Sequence, residues 1–263
     1  MIASLLLEPG RLELRDVEIP EPGPGEVVVR VRTALTCGTD LKAFRRGHPK
    51  MQIPGPFGHE FSGDVHAVGE GVTKFKLGDK IMTAPSAPCG DCVYCNKGQE
   101  NLCPTTMDTM VWGAFSEYIR MPAHIVDNNM YLKPDHLSYE EAAMLEPLSC
   151  VVYGMDQVDV HPDDTVLIIG AGAIGLLHVM VARALGAERV IVAGKRENRL
   201  KLAWAVGADA VIDAESENTF ERVKELTQGL GADIVIECTG QLAVWEETPD
   251  LVRPGGTVIL FGG

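Results

Sequence analysis

The sequence predicts a β-rich domain followed by an α/β domain, at residues 1–152 and 153–263. Short alternating runs between Gly and Pro residues indicate a barrel or sandwich in the first half, at 12–14, 27–31, 63–68, 80–83 and 116–121. In the second half, five apolar strands (165–169, 190–193, 210–212, 233–237, 257–261) alternate with helices (174–185, 197–206, 219–226). Such alternation requires a parallel sheet covered on both faces.

Composition and charge exclude several classes of protein. The 263 residues are 46 % hydrophobic and 23 % charged, which is typical of a globular chain. The 23 basic and 37 acidic residues give a net charge of −14, which argues against a nucleic-acid partner. The apolar stretch 166–187 contains three glycines near its start and a His and an Arg in its second half, so a strand and a helix explain it better than a membrane span. Without a secretory signal at the N-terminus, we expect a cytoplasmic protein.

A glycine-rich turn follows the first strand of the second half and begins its helix. It consists of Gly170, Ala171, Gly172, Ala173, Ile174 and Gly175. In this position the pattern predicts a dinucleotide site, with the pyrophosphate at the positive end of the helix. The alternative is that the three glycines only relieve crowding between the strand and the helix and bind no ligand.

The end of the second strand indicates which dinucleotide binds. NAD-binding domains place an Asp or Glu there, but here Gly194 is followed by Lys195 and Arg196. Two cations favour the 2′-phosphate of NADP over NAD. Alternatively, both cations cap a solvated loop and Glu197 binds the ribose. Thr239, after the fourth strand, is a further candidate for contact with the cofactor.

Four of the seven cysteines lie within fifteen residues, in a segment at about 86–105. They are Cys89, Cys92, Cys95 and Cys103. Four thiolates complete a tetrahedral zinc shell and leave no position for substrate, so this spacing predicts a structural zinc site. A redox pair or chance clustering does not require four cysteines at these intervals.

A second, open metal site is suggested by Cys37 and by His59, about twenty residues later. Thiolate and imidazole are ligands that zinc favours. On spacing alone, a buried cysteine and a hydrogen-bonded histidine explain the pair equally well.

Taken together, these motifs resemble the zinc-containing medium-chain dehydrogenase/reductase family over essentially the whole chain. The resemblance rests on residues 37–40, the glycine-spaced segment 58–72, the four-cysteine segment and the later dinucleotide fingerprint. The sequence is most similar to the polyol (sorbitol) and threonine dehydrogenase branches. In those branches a Glu-Pro, here Glu146-Pro147, replaces the second cysteine ligand of classical alcohol dehydrogenases.

The resemblance implies a GroES-like β-barrel catalytic domain joined to a Rossmann domain, with substrate between them. Cys37, His59 and Glu146 would hold the catalytic zinc, and Glu60 would lie beside it, able to enter the coordination shell. A secondary alcohol would bind this zinc as an alkoxide and transfer hydride to NADP or NAD, while the hydroxyl of Thr39 takes up the proton.

The family also implies that the full-length protein is a homo-oligomer, a dimer or a tetramer, acting on a small alcohol or ketone. Lys42 stands where the threonine dehydrogenase branch has a relay histidine, which counts against threonine as substrate and leaves His48, water or a cofactor hydroxyl as the next proton acceptor. L-threonine 3-dehydrogenase-like activity, aldehyde reduction or lyase chemistry on the same scaffold are the alternatives. Both metal motifs argue against the zinc-free quinone reductases.

The sequence predicts five strands in the second half, whereas a doubly wound dinucleotide fold has six. We therefore expect an incomplete Rossmann domain in a C-terminally truncated chain. Such a chain would bind structural zinc but be poorly stable and weakly active. A truncated, inactive zinc- and nucleotide-binding module is accordingly a further alternative.

Overall fold

A computed structural model describes residues 1–262 of the chain. Contacts between Cα atoms divide the chain into two compact units, Met1–Glu146 and Pro147–Gly263. This division and the sequence-based boundary at 152/153 both fall inside one helix, Leu145–Met155.

The first unit is built on two antiparallel sheets. Its strands are Ile2–Glu8 (β1), Arg11–Asp16 (β2), Val27–Leu35 (β3), Gly55–Pro56 (β4), Glu60–Val68 (β5), Lys80–Thr83 (β6), Tyr118–Met121 (β7) and Met130–Leu132 (β8). The smaller sheet has the order β2-β1-β4 and the larger one β7-β3-β5-β6-β8. Apolar side chains from the larger sheet, including Phe61, Ile81 and Met121, are fully buried in one core.

Helices also occur in this unit, so the expectation of strands alone was incomplete. They are Gly38–Arg46 (α1), Ala123–Asn128 (α2), Tyr139–Ala143 (α3) and the start of Leu145–Met155 (α4), with 3-10 turns at Cys95–Lys97 and Glu100–Leu102. α1 begins at a capping box. The sulfur of Cys37 accepts backbone N–H groups of the first turn, and the carboxylate of Asp40 accepts the backbone N–H of Cys37. This local pairing specifies where the helix begins.

The second unit confirms the predicted parallel sheet. Its strands are Thr165–Ile169 (β9), Arg189–Gly194 (β10), Ala210–Asp213 (β11), Ala232–Glu237 (β12) and Val252–Leu260 (β13), in the order β11-β10-β9-β12-β13. Its helices are Ala173–Ala184 (α5), Glu197–Ala205 (α6), Thr219–Leu226 (α7) and Leu242–Leu251 (α8). The central strand β9 is buried along almost its whole length because helices cover the sheet. Among the described residues, no helix has the length and apolar character of a membrane span.

The glycine-rich turn between β9 and α5 brings the helix very close to the strand. Gly170 adopts a φ of +116°, a conformation that favours glycine. A Cβ atom on Gly175 would lie 1.8 Å from the carbonyl oxygen of Gly170, so no larger residue fits without movement of the backbone. A Cβ atom on Gly172, at the N-cap of α5, would meet nothing within 4 Å.

We expect Gly175→Ala to lower the free energy of unfolding by about 2–3 kcal/mol, because the added methyl group overlaps a backbone oxygen. Gly172→Ala, in the same turn, is the matched control and is expected to cost less than about 1 kcal/mol. Urea denaturation followed by circular dichroism measures both values. Equal stability of the two variants would contradict the close approach seen here.

Candidate functional site

Three potential metal ligands meet in the first unit. Cys37, His59 and Glu60 each place a ligand atom within 4.8 Å of the others. Cys37 is the N-cap of α1, Glu60 is the first residue of β5, and His59 directly precedes that strand. His59 and Glu60 are almost fully buried, with exposed fractions of 2 % and 4 %. Thiolate, imidazole and carboxylate together form a donor set suited to zinc.

Asp40 holds two members of this cluster. One carboxylate oxygen lies 3.0 Å from Nδ1 of His59, and the other accepts the backbone N–H of Cys37 at 2.8 Å. Burial opposes protonation of His59, but the hydrogen bonds with Asp40 and Cys37 outweigh it and raise the pKa of the imidazole to about 10. With Nδ1 committed to Asp40, Nε2 is the nitrogen available to a metal ion, which would replace the proton there.

Glu146 lies in the first turn of α4 and acts on the cluster through its charge. Burial and the charge of Glu146 raise the pKa of Glu60 to about 7, against a lowering effect of His59. The carboxylate of Glu146 is not among the three groups whose ligand atoms lie within 4.8 Å of one another. Two neighbouring carboxylates and a thiol, shielded from solvent, favour the binding of a cation.

The predicted proton-relay residues lie on and after α1. Thr39 is in the first turn of α1, and its N–H lies 3.4 Å from the sulfur of Cys37. The ring of His48 lies 5.3 Å from that of Trp112 in a tilted arrangement, and the ring of Trp112 lies 5.3 Å from that of His59. Burial and the charge of His59 lower the pKa of His48. Lys42 is exposed.

The four cysteines of the predicted structural site also come together, with their sulfur atoms within 4.8 Å of one another. The Cys89–Cys95 and Cys92–Cys95 sulfur distances are 3.9 and 3.5 Å. A tetrahedral zinc–thiolate site separates its sulfurs by about 3.8 Å. Hydrogen bonds from the Thr105 hydroxyl and the Cys89 N–H lower the pKa of Cys103 to about 5. The cluster therefore fits a closed zinc shell.

A cavity of about 630 Å³ in the second unit opens above the glycine-rich turn. Predicted cofactor residues that line it are Gly170, Gly172, Lys195, Arg196 and Thr239. Ala173, Ile174 and Gly175 form the first turn of α5 and are not among the lining residues. The space beside Gly172 and the free N–H groups at the start of α5 suit a pyrophosphate.

Three cations border this cavity: Lys195, Arg196 and Arg199. Arg196 has a left-handed φ of 72°, and its N–H donates to Glu215 at 3.2 Å. The carboxylate of Glu197, the alternative ribose ligand, instead pairs with Lys201 at 2.7 Å and does not line the cavity.

Gly194, at the end of β10, has no room for a side chain. A Cβ atom there would lie 2.7 Å from Cβ of Ala171 and 3.0 Å from its backbone nitrogen. The acidic residue that NAD-binding domains place at this point would therefore require Ala171 to move.

Comparison with known proteins agrees with this arrangement. Residues 23–129 match the family model of the alcohol dehydrogenase GroES-like domain, and residues 173–263 match that of the zinc-binding dehydrogenase. Sorbitol dehydrogenase of Bacillus subtilis is 33 % identical over 268 residues, which cover all of this chain and 75 % of the relative. The chain belongs to the zinc-containing medium-chain dehydrogenase/reductase family.

Other members of this family are equally similar. L-threonine 3-dehydrogenase of Pyrococcus horikoshii is 36 % identical over 272 residues, covering all of this chain and 76 % of the relative. The crystal structure of a zinc-binding dehydrogenase from Sinorhizobium meliloti bound to NADP has a TM-score of 0.89 and 33 % identity, and covers 99 % of this chain and 76 % of that one. Membership in the family makes the chain a zinc-type alcohol dehydrogenase-like oxidoreductase, and confirms the predicted GroES-like and Rossmann folds.

Two residues of these sites were not assigned from the sequence of this dehydrogenase. Asp40 follows Cys37 by three residues, a capping-box spacing that could have revealed it. Arg199 lies in the first turn of α6, and only the structure shows that this turn faces the cavity.

We expect Asp40→Asn to weaken zinc binding at the cluster of Cys37 and His59 by about 10- to 100-fold, because the imidazole loses its orienting carboxylate. Zinc retained per chain during competition with a chelator measures this, and the four-cysteine site should keep its ion. Asp79→Asn, at a turn where the carboxylate accepts the N–H of Lys76 at 2.9 Å, is the control and should retain both ions. Unchanged zinc retention in Asp40→Asn would show that this carboxylate does not support the site.

Proposed function

We propose that the chain is a zinc-dependent, NADP-preferring dehydrogenase of secondary alcohols of the polyol or sugar type. The observation that carries the proposal is the buried cluster of Cys37, His59 and Glu60, in which Asp40 leaves Nε2 of His59 available. Such a carboxylate–histidine arrangement is typical of metal ligands. The family relationship supports the reaction class.

In this proposal Cys37, His59 and Glu146 hold the catalytic zinc, and Glu60 remains beside it. Zinc bound there would act as a Lewis acid that makes the substrate hydroxyl more acidic, and the nicotinamide would accept the hydride. Cys89, Cys92, Cys95 and Cys103 hold a second zinc that stabilises their segment.

The chain's own part in proton transfer begins at Thr39. Its hydroxyl oxygen takes the proton from the substrate hydroxyl, as the family resemblance implies, from a position in the first turn of α1. His48, whose Nδ1 accepts the N–H of Lys50 at 3.2 Å, is one candidate for the next acceptor, alongside water and a cofactor hydroxyl.

The preference for NADP follows from the charges at the nucleotide cavity. Lys195, Arg196 and Arg199 supply positive charge, while the position of the usual ribose-binding acid is Gly194. A 2′-phosphate gains charge-assisted hydrogen bonds from such cations, and a plain ribose hydroxyl gains much less. We further propose a cytoplasmic homo-oligomer, a dimer or a tetramer, on the strength of the family resemblance.

We expect the double variant Lys195→Ala/Arg196→Ala to weaken NADPH binding by about 100-fold and NADH binding by less than about threefold. Dissociation constants from titration of coenzyme fluorescence measure both effects. Lys201→Ala, on the following helix α6 and paired with Glu197, is the control and should change neither constant. Equal losses for the two coenzymes would overturn the assignment to NADP.

A panel of polyols, sugars and hydroxy amino acids assayed for reduction of NADP⁺ tests the substrate class. We expect turnover of a polyol or sugar-like secondary alcohol to exceed that of L-threonine by at least about tenfold, since Lys42 replaces the relay histidine of the threonine branch. Zinc content measured on the same preparation should be two ions per chain. One ion and no turnover would favour a non-catalytic zinc- and nucleotide-binding module, and preferred threonine turnover would refute the polyol assignment.

A further inference from the structure

A second buried carboxylate lies at the end of β12 in the second unit. Glu237 is fully buried, with an exposed fraction of 0 %. Its side chain accepts the N–H of Thr239 at 2.6 Å, the N–H of Gly240 at 3.1 Å, the indole N–H of Trp245 at 2.7 Å and the hydroxyl hydrogen of Thr239. All of these donors are neutral groups. Several such hydrogen bonds satisfy the oxygen atoms of a carboxylate that is removed from water.

These hydrogen bonds define the path of the chain after β12. The N–H of Gln241 donates to the hydroxyl oxygen of Thr239 at 3.2 Å, and that hydroxyl donates to Glu237. Gln241 is the N-cap of α8, and Trp245 lies one turn into this helix. A single carboxylate therefore fixes both the loop 238–241 and the start of α8.

The same loop and helix form one side of the nucleotide cavity. Cys238, Thr239 and Gln241 line it, together with Ala243 and Val244 of α8. Across the loop, a Cβ atom built on Gly170 would lie 3.1 Å from Cγ2 of Thr239 and 3.4 Å from Cβ of Cys238. The loop after β12 is thus packed directly against the glycine-rich turn, and a shift of one displaces the other.

We propose that Glu237 is a positioning residue for the dinucleotide. It touches neither cofactor nor substrate; it holds loop 238–241 and the first turn of α8 in the geometry that the cofactor meets. The inference rests on the proposed function, because the ligand concerned is NADP. Because this loop is already ordered in the free protein, binding of the cofactor does not have to supply the entropy cost of ordering it, and the affinity is higher.

The test compares Glu237→Gln with wild type as purified chains. The glutamine side chain has the shape of the carboxylate, but it replaces one acceptor oxygen with an N–H₂ group. Some of the donors around residue 237 therefore lose their acceptor. We expect the dissociation constant of NADPH, measured by titration of coenzyme fluorescence, to rise by about tenfold or more. The emission of Trp245, isolated in a background with Trp112 and Trp204 replaced by Phe, should also shift, because its indole N–H loses a charged acceptor.

Asp233→Asn is the matched control. Asp233 lies near the opposite end of β12, where it accepts the N–H of Thr165 at 2.7 Å and pairs with Arg253, and it does not line the cavity. We expect it to change NADPH affinity by less than about twofold, whatever its effect on the unfolding free energy. Equal weakening of NADPH binding by Asp233→Asn and Glu237→Gln would mean a general loss of stability and would overturn the proposal.

A milder variant decides the outcome if Glu237→Gln does not fold. Trp245→Phe removes one donor to Glu237 from a residue that does not line the cavity, and it should raise the dissociation constant about threefold. Wild-type affinity for NADPH in every folded variant overturns the positioning role of Glu237 and leaves the proposed function standing. Failure of the wild-type chain to bind either NADPH or NADH instead contradicts the proposed function, and the positioning role falls with it.

Discussion

A buried carboxylate has to be hydrogen-bonded, and each unit is organised around one that satisfies this requirement. Asp40, 1 % exposed, joins the start of α1 to β5 and thereby brings Cys37 and His59 together. Glu237, fully buried, joins β12 to the start of α8. Cys37 and His59 in the first unit, and the loop after β12 in the second, lie on segments that these carboxylates hold. The cost of leaving either carboxylate without donors fixes the local geometry.

The features predictable from sequence were those in which neighbours along the chain are neighbours in space. The four cysteines and the glycine-rich turn are of this kind, and periodicity placed β9 to β13 correctly to within a few residues except at the start of β13. α8 was missed because Pro249 interrupts a helical pattern that packing against β12 and β13 maintains. The bond from Asp40 to His59 spans nineteen residues, and no periodicity encodes it.

Positive side chains are concentrated at one site, although the chain as a whole is acidic. The chain has a net charge of −14, yet the nucleotide cavity is bordered by Lys195, Arg196 and Arg199. An acidic surface disfavours extended polyanions, while a small cluster of cations still attracts a single phosphate group at short range. The Glu215 carboxylate accepts the N–H of Arg196 and so holds the backbone at this residue.

The absence of space at Gly194 has a consequence for redesign of the coenzyme site. The usual way to make such a domain accept NAD is to place an acid at the end of the second strand, but here Ala171 occupies the volume that its Cβ atom needs. A single change at residue 194 would thus damage the turn before it could recruit a ribose. Lys195 already lines the cavity, so an acid placed at residue 195 instead would remove a cation in the same step that adds a negative charge.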